Sequence, residues 1–400
     1  MRVLLIGTGA VGHVLSEFLI KDKTVSRLIC ASNDLKRAKS HINIKHKKLR
    51  LINLDASKKE EVIRAAKGVD VIINAGLPDF NETVMRAALE VKADYQDLCS
   101  HLKDLRTPEQ MKYHRKFKSA RITALINTGV APGVTNLLAR DIADDLDSVS
   151  AIRIRLLEEQ KASEFIPSWS VNVTLDELSC PPIRYSGGKI RLSEPFGDIE
   201  EYEFPHPYGK RMVVNLYGDE IATLPRFIRT KSIDFKSGGS DIDLSRMLYK
   251  MGLFSNKPIK INDISVVPVD LFCKIAPQVP TPKEMRLLIK NKIVENSIFI
   301  SVVEGEGIRS GKKILIKKIV TYPDLIAIQK VMPGATYISY PTGIAAYAFF
   351  KILQKIKEKG VFPPEALDAG LRKEVLLELE SRGIVVDEQS SRIRIADKGR

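Results

Sequence analysis

Cysteine is scarce in this sequence, and long hydrophobic runs are absent. The four cysteines, Cys30, Cys99, Cys180 and Cys273, are scattered, with no C-x-x-C pair and no histidine at metal-ligand spacing beside them. This pattern argues against a zinc site and a disulfide framework, so we expect no metal and reduced, mostly buried thiols.

The sequence contains no run of about 18 uncharged apolar residues, which argues against a transmembrane helix. Met1-Arg2 leads directly into an apolar segment rather than a cleavable signal. We therefore expect a cytoplasmic protein that binds no membrane.

Acidic residues are fewer than basic ones, and the formal net charge is +14. The most basic stretches, residues 36–50 and 351–359, could be taken for nucleic-acid footprints. However, the basic residues are spread along the chain among 49 acidic ones, and no nucleic-acid-binding motif accompanies them. We interpret them as solvated surface and expect no nucleic-acid partner. With 400 residues and 44% apolar content, the chain can form two domains with separate cores.

The most informative motif lies at the N-terminus, where an apolar strand pattern over residues 3–6 runs into a glycine-rich turn. The turn is Gly7-Thr8-Gly9-Ala10-Val11-Gly12, and an amphipathic helix pattern follows it. In a G-x-G-x-x-G dinucleotide-binding fingerprint, Gly7 permits the tight turn, Gly9 the approach of a pyrophosphate, and Gly12 close packing of helix on strand. The helix N-terminus offers free N–H groups to the phosphates. We therefore assign all six residues to a cofactor site.

The choice between NAD and NADP depends on the end of the second predicted strand. NAD-binding domains usually place an acid about 20 residues after the glycine turn, where it bonds the ribose. Here Ser32 and Asn33 occupy that position, and the basic Lys36 and Arg37 follow. This pattern favours NADP, whose 2′-phosphate the cations could pair. The alternative is that Asp34 binds the ribose and NAD is the cofactor.

Two later segments complete the predicted cofactor site. The segment Asn74-Ala75-Gly76-Leu77-Pro78 follows the fourth predicted strand, where backbone and side-chain groups commonly line the nicotinamide ribose. Asp55 is assigned to the same site.

Strand and helix patterns alternate from residue 1 to about 135. Predicted strands cover residues 3–6, 28–31, 49–54, 69–74, 94–98 and 122–127, and predicted helices cover residues 34–40, 58–66 and 81–90. Such alternation predicts an α/β fold, with a doubly wound parallel sheet of Rossmann type over residues 1–134.

The middle of the chain has a different pattern. We predict a strand over residues 149–156, a helix over 168–178, a hairpin over 183–192 that turns at Gly187-Gly188, and a second hairpin of residues 298–304 and 313–320. Residues 135–341 therefore form a predicted α+β catalytic domain, whose sheet could hold the substrate and a dimer contact. Helical patterns over 343–357 and 372–379 place helices in the last segment, residues 342–400.

Six blocks of sequence occur in a distinctive order. They are Asn74-Ala75-Gly76-Leu77-Pro78, Tyr95-Gln96-Asp97-Leu98, Gly129-Val130-Ala131-Pro132-Gly133-Val134-Thr135-Asn136, Asp219-Glu220-Ile221-Ala222-Thr223-Leu224-Pro225-Arg226, Thr342-Gly343-Ile344-Ala345-Ala346, and Gly360-Val361 with Pro364-Glu365. Their order and rough spacing resemble the saccharopine dehydrogenase family, which includes saccharopine reductase, lysine 6-dehydrogenase and carboxynorspermidine synthase. The resemblance implies that the helices after about residue 342 fold back onto the nucleotide-binding domain.

The chain departs from the fungal saccharopine reductases at two positions. Those enzymes resemble it around Trp169 but carry a tyrosine near Ser100 and an aspartate near Ala131, and this chain has neither. Their catalytic residues are therefore not transferred.

The resemblance implies hydride transfer that interconverts an amine and an imine, with groups that move protons, activate water and hold amino-acid carboxylates. Asp97, at the end of the fifth predicted strand, could orient or deprotonate the substrate amine, and His101 could relay a proton. Glu220 could contact the substrate ammonium or activate water. The alternatives are an N-cap or ion-paired Asp97, a surface histidine, and a solvated Glu220.

Four residues are assigned to substrate binding. Arg226 could bind a substrate carboxylate in forked geometry, and Asp219 lies beside Glu220. Asn136 and Thr342 belong to the blocks that carry the resemblance, and Thr342 opens a predicted helix whose amide groups could face the ligand.

We interpret the chain as an NAD(P)-dependent oxidoreductase acting on the CH–NH group of a lysine-type or saccharopine-like amino acid, and we expect a homodimer. The alternative is a nucleotide-binding redox sensor or scaffold without dehydrogenase activity. A hydroxy-acid dehydrogenase is disfavoured, because no His/Asp or Lys/Tyr acid–base pair is identifiable.

Overall fold

The computed structural model describes residues 1–42, 45–101, 103–168, 170–171, 175 and 178–393. Trp169 and most of the helix predicted over residues 168–178 lie outside these residues. Within the described residues, no helix is both long and apolar enough to cross a bilayer.

The first half of the chain forms a seven-stranded parallel sheet with helices packed on it. Its strand order is β17-β6-β5-β4-β1-β2-β3, and every neighbouring pair is parallel. The strands are β1 (Arg2–Ile6), β2 (Arg27–Ser32), β3 (Leu49–Asn53), β4 (Val71–Asn74), β5 (Asp94–Asp97), β6 (Thr123–Leu125) and β17 (Gly360–Phe362). The order 3-2-1-4-5-6 is that of dinucleotide-binding sheets, in which ligands bind where the order reverses beside β1. The predicted doubly wound sheet is confirmed.

Helices connect these strands, and apolar residues at helical spacing bury one side of each. They are α1 (Ala10–Lys21), α2 (Leu35–His41), α3 (Lys59–Ala65), α4 (Asn81–Val91) and α5 (His114–Ala120). Short 3-10 helices cover Pro78–Phe80 and Glu109–Tyr113. In α1, Val14, Leu15, Phe18 and Leu19 are buried, as their spacing along the sequence predicts.

The second sheet is mixed and follows α6 (Val134–Asp144). Its main path is β10-β11-β12-β7-β15-β16-β18, with the hairpin β8–β9 attached to β12. The strands are β7 (Ser148–Ala162), β8 (Ile183–Ser186), β9 (Lys189–Leu192), β10 (Glu200–Phe204), β11 (Gly209–Asn215), β12 (Ser232–Gly238), β15 (Val294–Arg309), β16 (Lys312–Thr321) and β18 (Val385–Arg392). Among the described strands of this sheet, only β7 and β12 pair in parallel. Both predicted hairpins are confirmed, although β15 continues through the glycines of the expected turn to Arg309.

The remaining elements surround this sheet. They are α7 (Glu220–Phe227), α8 (Ser240–Lys250), the small hairpin β13 (Ile259–Ile261) and β14 (Ile264–Val266), α9 (Pro268–Ile275), α10 (Pro282–Lys290) and α11 (Leu325–Val331). Helix α6 packs so closely on β15 that a Cβ at Gly305 would lie 2.1 Å from Ile142 Cγ2. One face of the sheet thus lies against the helix that follows Gly133 and leads from the first domain into the second.

The last segment joins both sheets. Helix α12 (Ser339–Leu353) is followed by β17, which extends the parallel sheet beside β6. Helix α13 (Ala369–Glu380) is followed by β18, which pairs with β16 of the mixed sheet. The expected return of the C-terminal helices to the first domain is confirmed, because the Tyr347 ring stacks on Phe18 at 5.4 Å between centroids. The sequence predicted only helices in the last segment, and the strands β17 and β18 were not predicted. Strand β18 is mostly polar and exposed, so its sequence carries no alternation of buried residues.

The predicted start of α12 at residue 343 was wrong by about one turn. The helix begins at Ser339, because a proline is tolerated in a first turn and Pro341 does not end the pattern. The domain boundaries at residues 134 and 341, the homodimer and the cytoplasmic location stay predictions.

Gly343→Ala tests the contact that holds the C-terminal segment on the first domain. A Cβ at Gly343 would lie 2.5 Å from Val14 Cγ1 and 3.2 Å from the Leu15 nitrogen. We expect the overpacked variant to lose about 1–3 kcal/mol of unfolding free energy. Urea denaturation measures this loss. Combining the change with Val14→Ala should cost less than the sum of the two single changes, and strict additivity would contradict direct contact.

Candidate active site

The glycine-rich turn has the geometry of a dinucleotide cradle. Gly7 has φ +90°, and a Cβ there would lie 2.4 Å from the Gly76 nitrogen; a Cβ at Gly12 would lie 2.1 Å from the Gly7 oxygen. A Cβ at Gly9 would meet nothing within 4 Å. Gly7 and Gly12 are therefore required for backbone packing, whereas Gly9 faces open space. Space at the middle glycine fits a pyrophosphate lying against the turn.

The start of α1 adds donors to this cradle. Gly9 is its N-cap and provides no side-chain cap, and the first turn contains no acidic residue. Thr8 is buried, and Ala10 and Val11 are partly exposed. The backbone N–H groups of a first turn without a side-chain cap are available to a phosphate. The predicted phosphate residues thus lie together at the carboxyl end of β1.

Asn74-Ala75-Gly76-Leu77-Pro78 lies directly against the glycine turn. Asn74 shapes this segment, because its Oδ1 accepts from the Gly76 N–H at 3.1 Å and its Nδ2 donates to the Leu77 oxygen at 3.2 Å. The same amide nitrogen donates to Asn81 Oδ1 at 2.8 Å. The segment is therefore fixed beside Gly7, where sequence reasoning expected it.

The predicted ribose residues lie at the ends of the next two strands. The Asp34 carboxylate caps α2 by accepting from the Arg37 N–H at 2.9 Å, and the Asp34 N–H bonds Ser32 Oγ at 3.2 Å. Asn33 is exposed. Asp55, after β3, accepts from the Ser57 N–H at 3.0 Å and Oγ at 2.6 Å. Its pKa is lowered mainly by these two hydrogen bonds.

Arg37 does not extend freely over the cofactor turn. Its guanidinium donates to Gln278 Oε1 and to the Val279 oxygen, both at 2.6 Å, and so links α2 to the second domain. If the Arg37 guanidinium binds a 2′-phosphate, it does so while it also donates to Gln278 and Val279.

Asp97 is not an accessible base at the sheet edge. It is fully buried and accepts from the Asn127 N–H at 2.8 Å, the Tyr95 hydroxyl at 2.9 Å and Gln110 Nε2 at 3.0 Å. Burial raises its pKa to about 7, although these hydrogen bonds oppose the shift. Neither an N-cap nor an ion pair describes it, and its predicted role toward a substrate amine stays a prediction.

Asp219 and Glu220 lie across from the end of β5, at the start of α7. Asp219 Oδ2 accepts from the Ser100 N–H at 2.9 Å, and the Ser100 hydroxyl bonds Asn127 Oδ1 at 2.9 Å. Glu220 is fully buried, and its Oε1 accepts from the Thr135 hydroxyl at 2.6 Å. Its Oε2 is buried without a hydrogen-bond partner. The hydrogen-bonding capacity of this buried oxygen is therefore unused.

Two further carboxylates join the group and were missed from the sequence. Glu365 is fully buried, and its Oε2 accepts from Asn136 Nδ2 at 3.1 Å while its Oε1 lacks a partner. Glu109 accepts from Asn81 Nδ2 and from the His101 N–H, both at 2.9 Å or less. Glu365 belongs to one of the six sequence blocks that carry the family resemblance, and this signal could have identified it. Glu109 carried no sequence signal.

Together Asp97, Glu109, Asp219, Glu220 and Glu365 form what we call the acidic cluster. Within the described residues, no lysine or arginine forms an ion pair with any of its members. Burial raises every one of the five pKa values, to about 7 for Glu220 and Glu365 and well above the ordinary value for Asp219. A buried negative region without a counter-ion is complementary to a cationic ligand.

The other predicted residues have mixed positions. Asn136 is buried and links Glu365 to the Thr223 hydroxyl, 3.2 Å away. His101 is half-buried, with Nδ1 3.5 Å from Asp79 Oδ1. Arg226 is exposed and donates to the Ala222 oxygen and to Thr107 Oγ1, both at 3.2 Å, so it is not part of the acidic cluster.

Thr342 borders the site with its side chain rather than its amide. Its N–H donates to the Ile338 oxygen at 3.2 Å. The prediction that the Thr342 amide faces a ligand is therefore wrong. Its Cγ2 lies 3.6 Å from the Cβ position of Gly129. Among the described residues, no three or more His, Cys, Asp or Glu are arranged to hold a metal ion.

Glu365→Gln tests the buried, unpaired charge. Because the carboxyl binds its proton more tightly when folded, stability falls as pH rises from about 4.5 to about 7 and is then level. Glutamine does not ionise, so it removes this loss. Above a pH of about 7 the free energy of unfolding of the variant should exceed that of the parent by about 1–3 kcal/mol, and the difference should disappear at lower pH. Denaturant titrations of cofactor-free protein across pH measure it. Glu201→Gln, at an exposed position, is the control. Identical profiles of unfolding free energy against pH for Glu365→Gln and the parent would show that Glu365 is not a buried, uncompensated charge.

Gly9→Ala and Gly12→Ala separate cofactor binding from folding. The methyl group of Gly9→Ala enters open space, so thermal stability should be unchanged while cofactor affinity falls roughly tenfold or more. Gly12→Ala should destabilise the protein because its methyl group meets the Gly7 oxygen. Calorimetric titration with NADPH and thermal denaturation measure both effects. Unchanged NADPH affinity in Gly9→Ala would contradict the cradle.

Comparison with known proteins gives the family directly. The model of the saccharopine dehydrogenase NADP binding domain matches residues 3–125, and that of the saccharopine dehydrogenase C-terminal domain matches residues 129–384. Carboxynorspermidine synthase of Vibrio alginolyticus is 26% identical over 402 aligned positions, covering 92% of each chain. That of Vibrio cholerae is 28% identical over 296 positions, covering 67% of this chain and 70% of the relative. Carboxyaminopropylagmatine dehydrogenase of a Synechocystis species is 24% identical, covering 92% and 93% of the two chains.

Two solved structures share the fold over nearly their whole length. Apo saccharopine dehydrogenase (L-Glu forming) of Saccharomyces cerevisiae superposes with a TM-score of 0.70 at 14% identity, covering 98% of this chain and 99% of that one. Homospermidine synthase of Legionella pneumophila, in complex with NAD, gives 0.67 at 13% identity, covering 100% and 93%. The glycine cradle, the two sheets and both family matches agree, and the chain belongs to the saccharopine dehydrogenase family of NAD(P)-binding oxidoreductases.

Proposed function

We propose that this protein is an NADP-dependent oxidoreductase that joins a cationic amine to an amino-acid aldehyde by reducing the imine between them. The lysine-type substrate expected from the sequence is one member of this class, since its side chain is a cationic amine. The names of the sequence relatives point to polyamine-like products that carry a carboxyl group. We therefore favour a polyamine-type amine over lysine.

The observation that carries the proposal is the acidic cluster beside the cofactor turn. Asp97 ends β5, and its register partner Asn74 on β4 opens the segment that lies against Gly7. Asp219 and Glu220 approach the same edge from the second domain through Ser100 and Thr135. A cationic amine held there would replace the missing counter-ion of the cluster.

The chemistry requires one proton and one hydride for each new C–N bond. The primary amine adds to the aldehyde carbon, water leaves, and an imine results. A reduced nicotinamide cofactor held by the glycine cradle would provide the hydride for the imine carbon, and a proton taken up by the nitrogen then completes the secondary amine. Glu220 is suited to hold that proton at its unpartnered Oε2, because burial raises its pKa to about 7. The hydrogen bond from Thr135 fixes the other carboxyl oxygen.

The preference for NADP rests on the groups after β2. Ser32 and Asn33 provide no carboxylate at the ribose position, and Asp34 is engaged as the N-cap of α2. Lys36 and Arg37 are the nearby cations that could pair a 2′-phosphate. These features favour NADP over NAD.

Glu220→Gln is the central test of the function. With NADPH, a panel of amino-acid semialdehydes and a panel of primary diamines, we expect the parent protein to oxidise NADPH. Glu220→Gln should lower kcat/KM roughly tenfold to a thousandfold while leaving NADPH affinity unchanged. Steady-state absorbance assays measure turnover, and calorimetry measures cofactor affinity.

The control is Glu201→Gln, whose carboxylate is exposed and paired with Lys210. Oxidation of lysine or saccharopine with NADP is measured in parallel, and a preference for either would restore the lysine-type substrate. Tight NADPH binding without turnover of any of these amines would overturn the proposal and favour a nucleotide-binding sensor.

A further inference from the structure

A second pair of carboxylates, the buried Glu158 and the half-buried Asp241, lies at the mixed sheet, outside the acidic cluster. Glu158 of β7 shares a sheet face with the buried Ile154 and Leu156, because side chains alternate along a strand. Its Oε1 accepts from the Ser237 hydroxyl of β12 at 2.9 Å. Asp241, in the first turn of α8, directly follows the end of β12 and lies close enough to Glu158 to raise its pKa.

This second pair also lacks a counter-ion. Glu158 is 5% exposed, and its Oε2 has no hydrogen-bond partner. Asp241 accepts from the Tyr337 hydroxyl at 2.6 Å. In the part of the chain that the structure describes, neither carboxylate forms an ion pair, although Glu159 next to them pairs with Arg211. Burial raises the pKa of Glu158 to about 7 and that of Asp241 to about 6.

The unpartnered oxygen of Glu158 is the independent sign of a ligand. A buried carboxylate oxygen that accepts no hydrogen bond loses its solvation without compensation. Across the strand pair, Phe299 of β15 is the register partner of Glu158, and its ring stacks on Tyr322 at 4.8 Å. A carboxylate with a free oxygen beside an aromatic wall suits an ammonium group attached to a methylene chain.

One face of β12 links the two acidic regions. Gly218, next to Asp219, packs on the ring of Phe235 in β12, and Ser237 contacts Glu158 from the same face of that strand. From Phe235 to Ser237 the strand advances about 7 Å at roughly 3.3 Å per residue. Two negative regions at this spacing match the two ends of an extended dication.

The connection before α12 joins the same two regions. Tyr337 bonds Asp241, whereas Thr342 lies beside Gly129 at the edge of the nucleotide-binding sheet. Five positions separate these two residues along the chain, so the segment that starts α12 contacts both regions.

We propose that Glu158 and Asp241, with Ser237 and Tyr337, form a second ammonium subsite that binds the distal end of a dicationic amine. This inference rests on the proposed function, because the reacting nitrogen of the same amine occupies the acidic cluster. The subsite makes the enzyme selective for diamines over monoamines of equal length.

The test compares Glu158→Gln with Glu159→Gln. Both replace a carboxylate by an amide on β7, but Glu159 lies on the opposite face and pairs with Arg211. Putrescine, cadaverine and hexamethylenediamine are each assayed against the monoamine of the same chain length. We expect the parent and Glu159→Gln to favour the diamine, and Glu158→Gln to raise the diamine KM roughly tenfold or more. The monoamine KM and kcat should stay within about twofold.

Asp241→Asn provides a second variant, and it should move the diamine KM in the same direction. Equal losses for diamine and monoamine, or an unchanged diamine KM in Glu158→Gln, would overturn the subsite. Calorimetric titration of the NADP complex with each diamine separates this result from failure of the proposed function. If diamines bind in a manner that depends on Glu158 but are not turned over, the subsite is supported and the proposed reaction is rejected. If diamines neither bind nor are turned over, the subsite and the reaction are both rejected.

Discussion

Burying carboxylates without cations is the constraint around which this protein is organised. Each such group gives up its hydration, and hydrogen bonds from neutral donors return only part of the cost. The fold therefore surrounds Asp97 with three donors, and it places the Thr135 hydroxyl against Glu220 and the Asn136 amide against Glu365. The raised pKa values record the free energy that remains uncompensated. A site of this kind is poorly satisfied until a cation enters it.

The same hydrogen bonds connect the two domains. Asp97 joins β5 to the start of the turn after β6 through the Asn127 N–H, and Asn127 in turn accepts from Ser100. Ser100 reaches Asp219 in the second domain, and Asn136 reaches Glu365 in the last segment. Elements from three parts of the chain thus meet around one polar network. Removing one partner therefore affects the relative position of all three, since partly satisfied buried networks are costly.

The nucleotide-binding half could be predicted from the sequence because its signals are local. Strand patterns, turn glycines and the helix start lie within a few residues of one another, and Gly7, Gly9 and Gly12 have the environments that their spacing indicates. The active-site side could be predicted only in part. Asp219 and Glu220 were selected through the resemblance, but Glu109 lies in an irregular segment without periodicity, and its role depends on contacts with Asn81 and His101. The burial of Asp97 and the outward position of Arg226 depend on tertiary packing, which no local pattern records.

The position of the acidic regions restricts how a substrate can enter. The cofactor turn lies at the carboxyl edge of the parallel sheet, where Asp97 ends β5 and where Asp219 and Glu220 approach from the second domain. Glu158 lies on the mixed sheet, and Asp241 lies beside it on α8. An amine with one charge can neutralise only one of these regions, and the other then remains buried and unpaired. An extended dication neutralises both, so the free energy released at the distant region is available to hold the reacting nitrogen in place. Under the proposed function, electrostatic complementarity at two points would provide both selectivity and orientation.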